Sequence, residues 1–108
     1  MDENFDLERC REFVQKKIDI DFFNIISEPV RSELLIFLAS HGEMTIGEIA
    51  ETFPQNRSGI SRHLDTMNRL GIVTRRKVGR EVFYTVNRDQ IIDKFETATT
   101  NMKVLLHK

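Results

Sequence analysis

The chain holds a single cysteine, Cys10, among 108 residues. One thiol excludes an intramolecular disulfide framework and any cysteine-based zinc cluster within one chain. Long apolar runs are missing too. The longest, Leu34 to Ala39, is six residues, far short of the roughly 20 that a membrane-spanning helix needs. The opening Met-Asp-Glu-Asn-Phe-Asp is acidic, whereas a signal peptide begins basic and turns apolar. There is no glycine-rich phosphate loop, no Ser/His/acid arrangement and no pair of cysteines, and the three histidines are scattered. No enzyme is expected. Net charge is nearly absent: 16 basic and 17 acidic residues leave −1. Taken whole, that balance disfavours a nucleic-acid binder. What is present, 40% hydrophobic and 31% charged residues, is the composition of a globular domain. A single domain over residues 1–108 is expected, soluble and cytoplasmic, without internal repeat or linker. A core this small also favours a partner subunit to cover its remaining apolar surface.

The near-zero charge is a cancellation. Residues 1–54 carry five bases against twelve acids, net −7. Residues 55–80 carry seven bases (Arg57, Arg62, Arg69, Arg75, Arg76, Lys77, Arg80) against Asp65 alone, net +6. Residues 81–108 carry four of each. Six of the seven bases are arginine, the side chain suited to phosphate and to guanine edges. A charge run is often only a solvated face, but segregation of sign this sharp favours an anion-binding surface.

Along the chain, Leu7, Cys10, Val14 and Ile18 recur at helical spacing with Phe13, Phe22 and Phe23 nearby, predicting one amphipathic helix over residues 6–23. Ser27 is the expected cap of a second helix that runs past Pro29 through Val30, Leu34, Leu35, Phe37 and Leu38 to His41-Gly42. Thr45-Ile-Gly-Glu48 has the form of a capping box and opens a short helix ended by Pro54-Gln55. Asn56 can cap the next helix, whose Ile60, Leu64, Met67 and Leu70 form one apolar stripe up to Gly71. Val73 to Lys77 and Glu81 to Val86 read as strands of a hairpin joined by Val78-Gly79-Arg80, with Val82, Tyr84 and Val86 on one face. Asn87 and Gln90 form a second capping-box candidate, opening a last helix. Its Ile91, Phe95, Ala98, Met102 and Leu105 make a seam suited to packing along another helix.

Two short helices joined by a tight turn, the second with polar residues on its outer face, make a helix-turn-helix. Such a second helix can enter a major groove with its first residues on base edges. Here those residues are Asn56, Arg57, Ser58, Gly59, Ser61 and Arg62. Arginine can pair in bidentate fashion with guanine, serine can serve base or phosphate, and Gly59 leaves room for close backbone approach. The following hairpin would carry Arg75, Arg76, Lys77 and Arg80 on a protruding tip that reaches backbone or minor groove. Helix-turn-helix plus hairpin is a winged helix. The expected fold is mostly α with a small β-hairpin, in the order α-α-α-α-β-β-α.

Ser61-Arg62-His63-Leu64, followed by Leu70-Gly71-Ile72-Val73, resembles the recognition-helix signature of the ArsR/SmtB winged-helix repressors. Ile26 to Leu35 resembles the segment opening that family's second helix, and Arg75 to Tyr84 resembles its wing. The resemblance spans roughly residues 24–106. It implies a homodimer bound to an imperfect palindrome in double-stranded operator DNA, repressing transcription. Arg57, Ser58, Gly59, Ser61 and Arg62 would read bases. Asn56, His63, Arg75, Arg76, Lys77, Arg80 and Tyr84 would hold backbone or minor groove. The interface would lie on the first and last helices (residues 1–23 and 88–108), at Leu7, Cys10, Val14, Ile18, Ile91, Phe95, Ala98, Met102 and Leu105. The turn departs from the family's usual glycine and apolar residue, having Pro54 and Gln55.

Family members that sense metals place paired cysteines before the turn, or carboxylate and histidine ligands on the last helix. Residues 45–53 contain no cysteine, and Asp89, Asp93 and Glu96 have only His107 near them. No metal site and no cofactor are expected. Cys10 reads as a small interface hydrophobe, with an oxidation-sensing role as its rival. Phe13, Phe22, Phe23 and the last-helix seam read as dimer core, the rival being an apolar pocket for an unidentified small-molecule effector. The rival for the basic surface as a whole is an interaction module that meets an acidic protein or lipid without sequence-specific DNA binding.

Overall fold

The structure, a computed structural model, describes residues 7–107. Residue 6, the expected start of the first helix, and the ends of the expected domain lie outside those residues. The chain forms α1 (Leu7–Phe13), a π-helical turn (Val14–Ile18), α2 (Ile20–Ser27), α3 (Pro29–His41), β1 (Met44–Thr45), α4 (Ile46–Thr52), α5 (Arg57–Arg69), β2 (Val73–Val78), β3 (Glu81–Val86) and α6 (Arg88–Leu106).

The expected single helix over residues 6–23 is therefore two helices. Asp19 separates them at φ 58°, the one non-glycine residue of positive φ among those described. Its amide closes the π turn on the Val14 carbonyl at 3.0 Å. Aspartate tolerates this left-handed geometry because its short side chain bonds locally. The carboxylate accepts from the Phe22 amide at 3.2 Å, capping α2, and pairs with Lys94 of α6 at 2.5 Å. The Lys17 carbonyl, released by the π turn, accepts from the Asn101 side chain of α6 at 2.8 Å. Apolar spacing misses this break because one inserted residue leaves the hydrophobic stripe running on either side of it.

Ser27 is not the cap of the next helix, as the sequence led one to expect. It ends α2, with its hydroxyl donating to the Asn24 carbonyl at 3.1 Å, and Glu28 caps α3 by accepting from the Arg31 amide at 2.9 Å. Pro29 then occupies the first turn, where a missing amide costs nothing. Gly42, at φ 81°, closes the helix with its amide on the Leu38 carbonyl. Thr45 and Glu48 form the expected capping box of α4, and Asn56 and Asn87 cap α5 and α6.

The sheet has three strands in the order β1-β3-β2, both pairings antiparallel. β1 leaves no mark in the sequence, since two residues are too short to show alternation. Met44 pairs with Tyr84 and Thr45 with Phe83. The β2–β3 loop is two residues, Gly79 and Arg80, one fewer than expected, and Gly79 supplies φ 61°. Such a positive φ is what a short hairpin turn requires.

Phe22, Leu34, Leu38, Ile49, Ile60, Leu64, Met67, Ile72, Val73 and Tyr84 make one core, drawn from α2 to β3. Phe22, Phe23 and Phe95 meet edge to face at centroid separations of 5.0–5.7 Å and fasten α6 to α2. The radius of gyration is 17.2 Å, against about 13 Å for a compact domain of this length. α1 has no buried residue, and α6 only Ala98.

Asp19→Ala removes a cap and an ion pair and leaves alanine at a left-handed position. It should cost about 2 kcal/mol, read as a lowered urea midpoint. The Asp19 carboxyl is held below its ordinary value by the Lys94 ammonium and then by the Phe22 amide. Its contribution is therefore whole above about pH 4 and is lost as pH falls through the depressed value. The gap between wild type and Asp19→Ala should narrow below about pH 4.

Candidate nucleic-acid interface

The second helix of the helix-turn-helix owes its first turn to Asn56. The Asn56 Oδ1 accepts from the Gly59 amide at 2.7 Å and from the Ser58 hydroxyl at 2.9 Å. A Cβ on Gly59 would stand 3.1 Å from that oxygen, so the glycine serves the cap directly. The Arg57 guanidinium lies back over α4, where a Cβ on Gly47 would meet its Nη2 at 3.0 Å. Asn56, Arg57, Ser58 and Arg62 are exposed, while Gly59 and Ser61 are half-buried. Ile60, Leu64 and Met67 on the opposite face are fully buried. That stripe fixes which side of α5 meets solvent.

Arg69, outside the expected set, belongs to the same outer face two turns beyond Arg62. Its Nη2 donates to the Thr66 hydroxyl at 3.4 Å, and Thr66 donates to the Arg62 carbonyl at 3.0 Å. A shallow groove of about 390 Å³ is lined by Arg62, Asp65, Thr66, Asn68 and Arg69. The i, i+7 spacing of Arg62 and Arg69 was the available signal.

On the wing, β2 is exposed from Thr74 onward. Arg75 stands opposite Tyr84, Arg76 opposite Phe83 and Lys77 opposite Val82, so Arg75 and Lys77 share one face and Arg76 lies on the other. Arg76 is committed within the chain. It donates to both carboxylate oxygens of Glu43, at 2.6 and 3.1 Å, and its guanidinium carbon sits 4.9 Å from the Phe83 ring centroid. Hydrogen bonding to Arg76 holds the Glu43 carboxyl below its ordinary range and raises the Arg76 guanidinium further.

Four expected residues are placed otherwise. Tyr84 is 3% exposed and sits in the core, because strand alternation puts it with Val82 and Val86 on the packed face. His63 faces inward from α5, its Nδ1 3.2 Å from an Arg31 nitrogen and 3.9 Å from a Glu28 oxygen. Ile91 packs against the chain's own core, and Ala98 is buried outside that cluster. Of the remaining seam, Leu7, Phe95 and Leu105 are 61%, 46% and 39% exposed, and Cys10, Val14, Ile18 and Met102 are half-buried. Among the described residues no three His, Cys, Asp or Glu side chains converge as metal ligands, and no helix is long and apolar enough to cross a membrane.

Helix, turn, helix and hairpin in this order, with a capped polar helix face and a basic wing, define a winged helix-turn-helix protein. Residues 28–75 match the family described as "Bacterial regulatory protein, arsR family". The transcriptional repressor SdpR of Bacillus subtilis (strain 168) is 32% identical over 71 residues, 66% of this chain and 78% of that protein. An uncharacterized HTH-type transcriptional regulator of Methanocaldococcus jannaschii, MJ1325, is 31% identical over 71 residues, 66% of this chain and 80% of its own. A crystal structure of a possible transcriptional regulator for arsenical resistance superposes with a TM-score of 0.61 at 32% identity, covering 76% of this chain and 80% of that one. The chain belongs to the ArsR family, whose members are DNA-binding transcriptional regulators and not enzymes.

The turn itself carries a defect. Among the described residues the buried Gln55 Oε1 has no hydrogen-bond partner, at the place where family members commonly have an apolar residue. A buried acceptor left unpaired is destabilising. Gln55→Met keeps the length and removes the acceptor, and should raise stability by on the order of 1 kcal/mol in urea unfolding.

Proposed function

We propose that the protein is a homodimeric repressor that binds an imperfect palindrome, with α5 in the major groove and the wing on the backbone or adjacent minor groove. The observation that carries this reading is the charge distribution: an acidic body whose bases concentrate in residues 55–80, at net +6, and are exposed on the outer face of α5 and along β2. A body of opposite sign repels phosphate elsewhere and leaves one face for approach.

Arg57, Ser58, Gly59, Ser61 and Arg62 are the base-reading set. Asn56, Arg75, Lys77 and Arg80 are the backbone set. Arg62 is free to reach a base as it stands, whereas Arg57 must first swing off Gly47. Arg76 enters the backbone set only by leaving Glu43. Dimerisation through α1 and α6 would cover Leu7, Cys10, Val14, Ile18, Phe95, Met102 and Leu105. The exposure of Leu7, Phe95 and Leu105 and the elongation of the subunit both support it. A two-fold dimer of this kind reads half-sites about one helical turn, roughly 34–36 Å, apart or a multiple of it.

Selection of bound sequences from random DNA should return paired, inverted half-sites. Against the selected operator, Arg62→Ala should cost about 1–3 kcal/mol and relax one base position. Lys77→Ala should weaken all sequences alike and reduce the salt slope by about one. Identical sequence preferences in the two variants would refute the division of roles. Glu43→Gln should free Arg76 for phosphate, steepening the salt slope by up to about one. An unchanged slope would show that Arg76 stays away from DNA.

A further inference from the structure

We propose that Arg31 and His63 are positioning residues for sequence recognition, setting the seat of α5 without touching DNA. The proposal rests on α5 being the recognition helix. Arg31, in the first turn of α3, donates through Nε to the Ile25 carbonyl at 2.7 Å, in the last turns of α2. Its Nη1 lies 3.2 Å from His63 Nδ1, in the middle of α5. A guanidinium has donors only, so His63 Nδ1 is the acceptor of this bond. One side chain thus bridges α2 and α5. Glu28 completes the cluster: its Oε2 accepts the Arg31 amide at 2.9 Å and stands 3.9 Å from the same His63 nitrogen.

The other ties of α5 to this side are apolar, through Ile60, Leu64 and Met67. Apolar burial is non-directional and leaves a helix some freedom to roll. A hydrogen bond of fixed direction removes that freedom, and base readout needs placement to within about 0.5 Å and 10–20°. The Arg31–His63 bond is the directional restraint at the middle of the helix, one residue after Arg62.

The restraint needs an acceptor at His63 Nδ1. The charged groups that face it are Arg31 and Glu28, from α3 and its cap. α2 contributes the Ile25 carbonyl, by way of Arg31.

The test compares affinities of the intact protein for the selected operator and for a scrambled duplex, across salt, with urea midpoints as folding controls. Arg31→Lys, which cannot bridge both partners, and His63→Ala should each lower the operator-to-scrambled ratio about tenfold, the weight of one charge-assisted hydrogen bond. The salt slope should stay as in wild type. His63→Asn puts an Oδ1 acceptor where Nδ1 stands and should restore most of the ratio. If His63→Ala fails to fold, Arg31→Lys and His63→Asn decide the matter alone. A salt slope reduced by about one in His63→Ala would make His63 a phosphate contact and overturn the proposal. So would a wild-type ratio in Arg31→Lys. If wild type itself does not discriminate, the reading of α5 as recognition helix falls, and the proposal with it.

Discussion

Ile60, Leu64 and Met67 form a single stripe along α5, and all three are fully buried. Everything functional about the molecule depends on that stripe having only one place to go. It meets Leu34 and Leu38 from α3, Ile49 from α4, and Ile72, Val73 and Tyr84 from the segment leading into and through the sheet. Once those apolar atoms are removed from water, the residues about 180° around the helix have no choice but to face solvent. Arg62, Ser58 and Arg69 are displayed because their neighbours are hidden. The same core holds β3, and β3 holds both β1 and β2, so the root of the wing is braced on either side by the packing that orients the helix.

Electrostatics then refines what packing presents. The −1 total of the chain conceals a basic segment mounted on an acidic body, and the fold partly undoes that segregation. Glu43, from the acidic half, reaches across to Arg76 on the wing and neutralises it. Asp19 does the same to Lys94 on α6. The charge offered to a polyanion is therefore smaller than the sequence sum, and is concentrated on residues with no such partner among the described residues: Arg62 on α5, Arg75 and Lys77 on one wing face. Membership of the ArsR family agrees with this arrangement, because its members are DNA-binding transcriptional regulators.

The ends of the chain obey a different constraint. Neither α1 nor the second half of α6 is drawn into the core, and both carry apolar side chains that remain in solvent. A chain this elongated leaves apolar surface in solvent, in line with the limited core available at this size. The Phe22–Phe23–Phe95 cluster and the Asp19–Lys94 pair show where α6 is anchored to the rest of the chain. Beyond that anchor the helix projects.

The features legible in the sequence were those settled within one turn of chain. The capping box at Thr45 and Glu48, the caps at Asn56 and Asn87, the glycine closures at Gly42 and Gly79 and the buried stripe of α5 all depend on residues three or four apart, or on a backbone only glycine adopts easily. Such patterns report themselves before folding. Tertiary structure alone decided the rest. The break at Asp19 makes sense only with Lys94 in place, and the two-residue β1 exists only because β3 lies beside it. Arg31 meets His63 across 32 residues and Arg76 meets Glu43 across 33. Each of these is a polar group whose partner is set by how helices and strands pack, and hydrophobic periodicity carries no information about that choice. Sequence thus determined which face of α5 looks outward. Packing decided which of its neighbours' charges remain free to be used, and which side chains hold the helix at its angle.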